Sequence, residues 1–571
     1  MNKCSNNSDG GVAVKRCICD VLVIGAGGAG LMAACEAAKS KVKVAVVNKG
    51  YVQHTGATIM APGAIAAVGE SWKHAEDSIE CHLADTVVGG GYVNNQAIVK
   101  KLVDEAESVV RELEKLGAFF ERNEDGSVAL RTDGGHTYKR SLYFEDHIGR
   151  ELVRVLVGQA SRLNIPMYEN VMITRIIKQN GAVSGAVGIN IQTQELMIFD
   201  CTSVIVSTGG IGFAYENSDL PFDLTGDGLA MAVEAGISLA DMEFNQFYPL
   251  GYLWPPSLKG LFGAYINHLH LMNNQGRRFM ADYNPERMEL TTRDVLSSAM
   301  MKEVREGRGS PRGGVFADFR HMEPAKMEKD MPGMCETYRR IGFDYTKDQL
   351  EIAPTAHFSM GGIVVDDNWA TSVPGFFGAG EVCAGAHGAN RVSQNALTDM
   401  LVSGKVAGES AGKYSALKKA KYSVDPDEIK KEQALIDSIY LSDEGLTVSE
   451  YRDAVKKILW EKVGVIRDGK DLSRAVDELQ KLKETPQKMV CHDKPYNREL
   501  INAIENNNMV NIALTIALSA LERKETRGAH IRSDYPETDN ENYMKNIFVH
   551  AVGSGYRVSA EPVDLKYCKP E

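Results

Sequence analysis

None of the ten cysteines stands in a CxxC pair, so the chain encodes neither a zinc ribbon nor a cysteine-ligated cluster, and no metal-binding set is expected. The scattered thiols read as reduced, as in a cytoplasm. Positive charge is not in surplus: the formal net charge is -12, which excludes nucleic acid or an anionic membrane surface as the main partner, since both need clustered Lys and Arg. No apolar run suits a bilayer span. The longest, residues 21 to 38, is broken by glycines and fits a strand, a turn and a helix. The opening residues MNKCSNNSDGGVAVKRCICD carry no apolar stretch behind a basic residue and no twin arginine. No export signal is read, and a cytoplasmic location is expected, peripheral to a membrane only through partner subunits. Internal repeats and low-complexity tracts are also missing.

What is present is a chain of 571 residues with 54 glycines, long enough for two to four domains and rich in tight turns and close backbone approaches. The segment CDVLVIGAGGAGLMAACEAAKSKVKVAVVNK reads as a βαβ unit. Gly25, Gly27 and Gly30 form a GxGxxG between its first strand and its helix, where bare backbone N–H groups and the helix dipole can reach a pyrophosphate. At the end of the second strand stands Asn48 rather than an acid, so any grip on a ribose hydroxyl there is that of a neutral partner. Apolar strands recur at 182–191, 203–207 and 375–379, and a helix is expected from about Asn395. From about 425 to 525 the apolar spacing is helical with charged outer faces.

Seven blocks then occur in a telling order: GATIMAPGAIAAV, TGGIG, TGDG, the Arg293-Asp294 pair, TAHFSMGG, GAGEVCAGAHGANRVSQNAL and RGAHIRSDYPETDNEN. From about residue 18 to 550 the chain resembles the flavoprotein subunits of succinate dehydrogenase and fumarate reductase, and the related L-aspartate oxidase. The resemblance implies an α/β fold: a Rossmann-like FAD-binding domain (18–240 and 356–420) with an inserted α+β capping domain (241–355). An N-terminal arm (1–17) is expected before it, and a helical bundle (425–525) and a tail (526–571) after it.

It further implies bound FAD and hydride exchange between the flavin and a carbon of an unsaturated or saturated carboxylate. Carried over residue by residue, Gly25, Gly27 and Gly30 hold the pyrophosphate, Thr58 and Gly63 lie beside the flavin, and Asp227, Glu381, Asn395 and Leu397 complete the cradle with Asn48. Arg293 matches the proton donor. His357 and Arg391 match the residues that hold a substrate carboxylate. Relatives that attach FAD covalently use a His at the position of Ala57, three residues after His54, so FAD is expected to be non-covalent.

The departures bear on the substrate. Tyr248 stands where relatives have His, and Leu261 and Phe262 where they have a Thr-Glu pair. Tyr265 replaces a relay arginine, and Asp133 replaces an aromatic lid residue. A substrate with one carboxylate and a less polar remainder fits these changes better than fumarate. His268 and His270, with Tyr265, offer a replacement proton path to Arg293, against the commoner reading of alternating histidines as one exposed strand face. An iron–sulfur electron-transfer subunit is an expected partner. Two other readings stay open: an amino- or hydroxy-acid oxidase of the aspartate oxidase type, and an electron-transferring FAD subunit without a substrate of its own.

Overall fold

The computed structural model describes residues 5–9, 12–263, 265–418 and 423–570. Its centre is a five-stranded parallel sheet in the order Phe376–Gly378, Ser203–Val206, Val21–Ile24, Val44–Val47, Met167–Tyr168. The four residues of each of the three middle strands are all buried, as a parallel sheet covered on both faces requires, and this explains their unbroken Val/Ile/Leu character. The helix Gly28–Lys39 lies against the long helix Asn395–Leu417. Their contact is a backbone approach: a Cβ at Gly408 would stand 2.3 Å from the Ala33 carbonyl oxygen, so nothing larger than glycine fits there.

A second sheet runs in the order Ser5–Asp9, Val12–Ile18, Leu196–Asp200, Ala182–Asn190, Val171–Gln179. Within the expected N-terminal arm, the described residues 5–9 and 12–17 are paired strands of this sheet. Val12–Ile18 pairs in parallel with Leu196–Asp200, Val14 and Cys17 are buried, and Arg16 meets Asp200 at 2.8 Å. The reading of every cysteine as a reduced thiol fails at one position. Cys17 is disulfide-bonded, whereas the eight other described cysteines are free.

The inserted segment has its own apolar core, running from Tyr248 to Ile352. It is built on an antiparallel sheet in the order Asn245–Trp254, Leu350–Ser359, Val315–Asp318, His270–Met272, with the helix Arg293–Arg305 packed on its first two strands. Strands Asn245–Trp254 and Leu350–Ser359 are the way out of and back into the FAD-binding part, and Tyr248 faces Thr355 in register. Beyond residue 423 come the helices Pro426–Tyr440, Val448–Val463, Gly469–Glu484 and Arg498–Glu522. The charged tail is not a solvated end. Arg523, Arg527 and Arg532 are buried, Arg523 meeting Glu243 at 2.6 Å and Arg527 meeting Glu525 at 2.7 Å, and the hairpin Lys545–Val552/Gly555–Pro562 joins the strand Leu239–Ala240. Among the described residues no helix is long and apolar enough to cross a membrane.

Candidate active site

The glycine turn follows directly from the buried strand Val21–Ile24. Gly25 has φ +106°, and a Cβ there would lie 2.4 Å from the Ser207 carbonyl oxygen, so two constraints at once demand glycine. Gly27 caps the helix Gly28–Lys39 without a side chain, which leaves the first turn open to an anion. Asn48 braces this turn: its Oδ1 accepts from the Ala26 N–H at 3.0 Å while its Nδ2 donates to Thr55 Oγ1 at 3.0 Å. Thr58 Oγ1 accepts from the Gly28 N–H at 3.1 Å.

From this turn a cavity of about 630 Å³ runs to the inserted segment. Its walls include Gly25, Gly27, Asn48, Thr58, Gly63, Asp227, Glu381 and Leu397. Tyr248, Phe262, Tyr265, Arg293, His357 and Arg391 belong to the same lining. Three expected residues are elsewhere. Gly30 does not line the cavity; a Cβ on it would meet the Gly25 carbonyl oxygen at 1.9 Å, so its task is to let the helix lie on the turn. Asn395 is fully buried and holds His82 Nε2 and Thr86 Oγ1, each at 2.9 Å, which fixes the start of the helix that carries Leu397. Leu261 is 45% exposed and lines a different cavity.

At the inserted segment's end two guanidinium groups meet the cavity without a carboxylate of the described residues in ion-pair reach. Arg293 opens the helix Arg293–Arg305, its Cζ stands 4.8 Å from the Tyr248 ring centre, and its buried Nη1 has no hydrogen-bond partner. Arg391 donates through Nη2 to Gln246 Oε1 at 2.9 Å, stacks on Phe358 at 4.8 Å and leaves Nε unpartnered. Burial, with Arg293 nearby, pushes the Arg391 pKa down to about 9. Such a pair is an anion site by construction: desolvated cations that repel each other are relieved by one negative group between them.

His357 is held by Asp219, its Nδ1 lying 2.9 Å from Oδ2. Burial pushes the imidazole pKa down, and Arg391 and Arg293 act the same way, against Asp219, which holds it up. Tyr248, Phe262 and His357 form one aromatic cluster, with ring centres 5.2 to 5.3 Å apart. Burial raises the phenol pKa of Tyr248.

Asp227 accepts from Lys49 at 2.7 Å and from Asn508 at 2.9 Å, so it ties the cavity wall to the helix Arg498–Glu522. Glu381 accepts from the Ser359 N–H at 3.0 Å, and burial raises its pKa to about 7. His54 is exposed and does not line the cavity, whereas Ala57 does. His268 and His270 are also outside it; His270 stacks on His321 at 3.7 Å.

Sequence reasoning missed Asp219, Gln246 and Gln394. Gln394 has φ +67°, which lets its side chain accept from the Ala64 N–H at 2.7 Å and donate to Asp133 at 2.8 Å beside Gly63. Its place one residue before Asn395 was the available signal.

The lining fits a dinucleotide with a flavin: a glycine turn at a helix N-terminus, an elongated cavity, and buried polar atoms without partners at Thr208, Asp219 and Asp223 as well as at the two arginines. Two family models match the chain, one described as an FAD binding domain over residues 20–397 and one as the fumarate reductase flavoprotein C-terminal part over residues 452–571. The chain is 38% identical over 527 residues to one of the subunits of the fumarate reductase (CoM/CoB) of Methanothermobacter marburgensis, covering 91% of this chain and 95% of that one. It superposes on the flavoprotein chain of E. coli quinol fumarate reductase with a TM-score of 0.90 at 30% identity, covering 97% and 98% of the two chains. For Mycobacterium smegmatis Sdh1 the TM-score is 0.89 at 34% identity, covering 96% and 95%. The chain belongs to the fumarate reductase/succinate dehydrogenase flavoprotein family and is an FAD-dependent oxidoreductase acting on CH–CH bonds.

Proposed function

We propose that the chain reduces the carbon–carbon double bond of an α,β-unsaturated acid carrying a single carboxylate, with FAD bound non-covalently and electrons drawn from a separate iron–sulfur subunit. The observation that carries this reading is the pair of guanidinium groups, Arg293 and Arg391, lining one cavity with no carboxylate partner among the described residues. Arg391 presents its remaining N–H groups to the substrate carboxylate, and His357 donates to the same group when doubly protonated. FAD in this cavity supplies the hydride equivalent that the β-carbon accepts.

Arg293 gives the proton to the α-carbon. A guanidinium is a poor acid in water, with a pKa above about 12, so it works only where it is held against the carbon and quickly reprotonated. Its position at the start of a helix, over the Tyr248 ring, provides that hold. Gly25 and Gly27 hold the pyrophosphate, Asn48 braces their turn, Thr58, Gly63 and Leu397 pack beside the flavin, and Asp227 and Glu381 close the walls. Ala57 in place of a histidine supports the non-covalent link.

Tyr248 and Phe262 support the monocarboxylate. A second carboxylate set against these rings, with no cation and only the Tyr248 phenol to donate, would lose hydration at a cost of several kcal/mol, about the penalty of a poorly paired buried charge. Tyr265 borders the same end of the cavity. The sequence encodes no cysteine-ligated cluster, so reducing equivalents come from a partner; an absorption spectrum of the natively purified protein with bands beyond those of flavin supports it, and flavin bands alone oppose it. The substrate class is tested with chemically reduced holoenzyme, anaerobically mixed with crotonate, cinnamate or fumarate. Faster flavin reoxidation by the monocarboxylates supports the reading, and faster reoxidation by fumarate overturns it.

A further inference from the structure

A second cavity, of about 590 Å³, lies where three parts of the chain meet: residues 213–218, the strands of the inserted segment at 251–253 and 353–355, and one face of the helix Val448–Val463. Its charge is opposite to that of the whole molecule. Lys259, Arg452, Lys456 and Lys457 line it against two carboxylates, Glu216 and Asp453, in a chain whose net charge is -12.

These cations are not equally free. Arg452 is committed to Glu505 at 2.7 Å and Asn506 at 2.7 Å, and Lys457 reaches Glu461 only at 3.9 Å. Lys456 has no carboxylate of the described residues in ion-pair reach. Its Nζ stands 3.7 Å from the Phe213 ring centre, and burial, with Arg452 beside it, pushes its pKa down to about 8. A lysine serving only to cover a phenylalanine would lay its stem on the ring and put its ammonium in bulk water. Here the ammonium itself sits over the ring, inside a cavity that Lys259 also lines. Glu216 and Asp453 hold the ammonium's charge up only from beyond ion-pair reach, so a partly desolvated cation near a second lysine gains from an anion that joins it.

We infer that this cavity binds a small oxyanion, tetrahedral or carboxylate, through Lys456 and Lys259. The site is separate from the substrate cavity yet adjoins it: Ser218 precedes Asp219, Thr355 pairs with Tyr248, and Leu261 precedes Phe262. An anion there would bridge the helical region and the inserted segment from behind the active site.

Isothermal titration of the holoenzyme at pH 8 tests the inference, with sulfate as the tetrahedral probe and succinate as the carboxylate probe, in buffers of different ionisation enthalpy. Saturable binding of either probe with uptake of a fraction of a proton is expected, because the anion raises the pKa of Lys456; which probe binds names the class. Lys456→Met should weaken that binding about tenfold or more, the loss expected for one charge-assisted hydrogen bond, and abolish the proton uptake. Lys456→Arg should keep the binding, and Lys259→Ala, at an exposed position, should weaken it independently of any folding defect. Arg391→Met, which removes the anchor of the substrate cavity, should leave it intact. The inference is overturned by no saturable binding of either probe, by binding that survives unchanged in Lys456→Met and Lys259→Ala, or by binding lost in Arg391→Met.

Discussion

The imidazole Nδ1 of His357 lies 2.9 Å from Oδ2 of Asp219, in a cavity that the guanidinium groups of Arg293 and Arg391 also line. A neutral imidazole that donates Nδ1–H to Asp219 has only an acceptor left at Nε2, so it can donate to a substrate carboxylate only after gaining a proton. Burial keeps the free enzyme's His357 below the usual histidine range, whereas a bound carboxylate raises it.

Carboxylate binding should therefore take up a proton at His357. The sign follows from linkage: the liganded pKa is the higher one, so affinity is greatest at low pH and falls as pH rises through that value. Flavin difference spectra of the oxidised holoenzyme titrated with a saturated monocarboxylate measure it. Asp219→Asn removes the charge that supports the imidazolium, and affinity near neutral pH should fall about tenfold, the equivalent of one charge-assisted hydrogen bond. An unchanged affinity and pH profile would show that His357 does not bind the carboxylate.

Tyr248 is the residue proposed to set the class of acid. Tyr248→His replaces a neutral phenol by an imidazole that can carry a positive charge, on the wall now closed by Tyr248 and Phe262, 5.3 Å apart between ring centres. The ratio of kcat/KM for fumarate to that for crotonate should rise by about tenfold or more, since a buried carboxylate gains a charge-assisted partner in place of a neutral phenol. A ratio that does not move would place selectivity elsewhere.

Glu381 should leave a mark on stability. Its pKa is raised by burial from 4.5 to about 7, so the folded state binds this proton more tightly than the unfolded chain. The stabilising effect of that proton is full below pH 4.5 and is lost as pH rises through about 7. In the flavin-free protein, the melting temperature of Glu381→Gln should exceed that of the wild type increasingly from pH 5 to 8, a window set by those two values. Parallel curves for the two proteins would contradict this origin of the shift.

Much of the cavity's lining was legible because each signal is local. Gly25 and Gly27 are required by a turn whose strand and helix are contiguous in sequence, and Arg293, His357 and Arg391 stand in short blocks of fixed order. Leu261 was misplaced for a geometric reason. Gly251 bridges Phe262, and neighbouring residues of such an extended pair face opposite ways, so Phe262 meets the substrate cavity and Leu261 the surface. Counting residues across residues 251–263 cannot settle which of the two turns inward. Asp219 and Gln246 were missed because each acts on a partner far along the chain, His357 and Arg391, and nothing in their neighbours signals it. The pairing of Val12–Ile18 was hidden likewise, since its partner strand lies beyond residue 195.

The central claim is that Arg293 delivers a proton to an acid anchored by Arg391 and His357. Stopped-flow reoxidation of the chemically reduced flavin under anaerobic conditions, comparing wild type with Arg293→Gln on the fastest enoate, tests it directly. The expected result is reoxidation slowed by about a thousandfold or more, roughly 4 kcal/mol of barrier, with FAD content and the affinity for a saturated monocarboxylate changed far less. Reoxidation by no enoate in the wild type, or at an undiminished rate in Arg293→Gln, would contradict it.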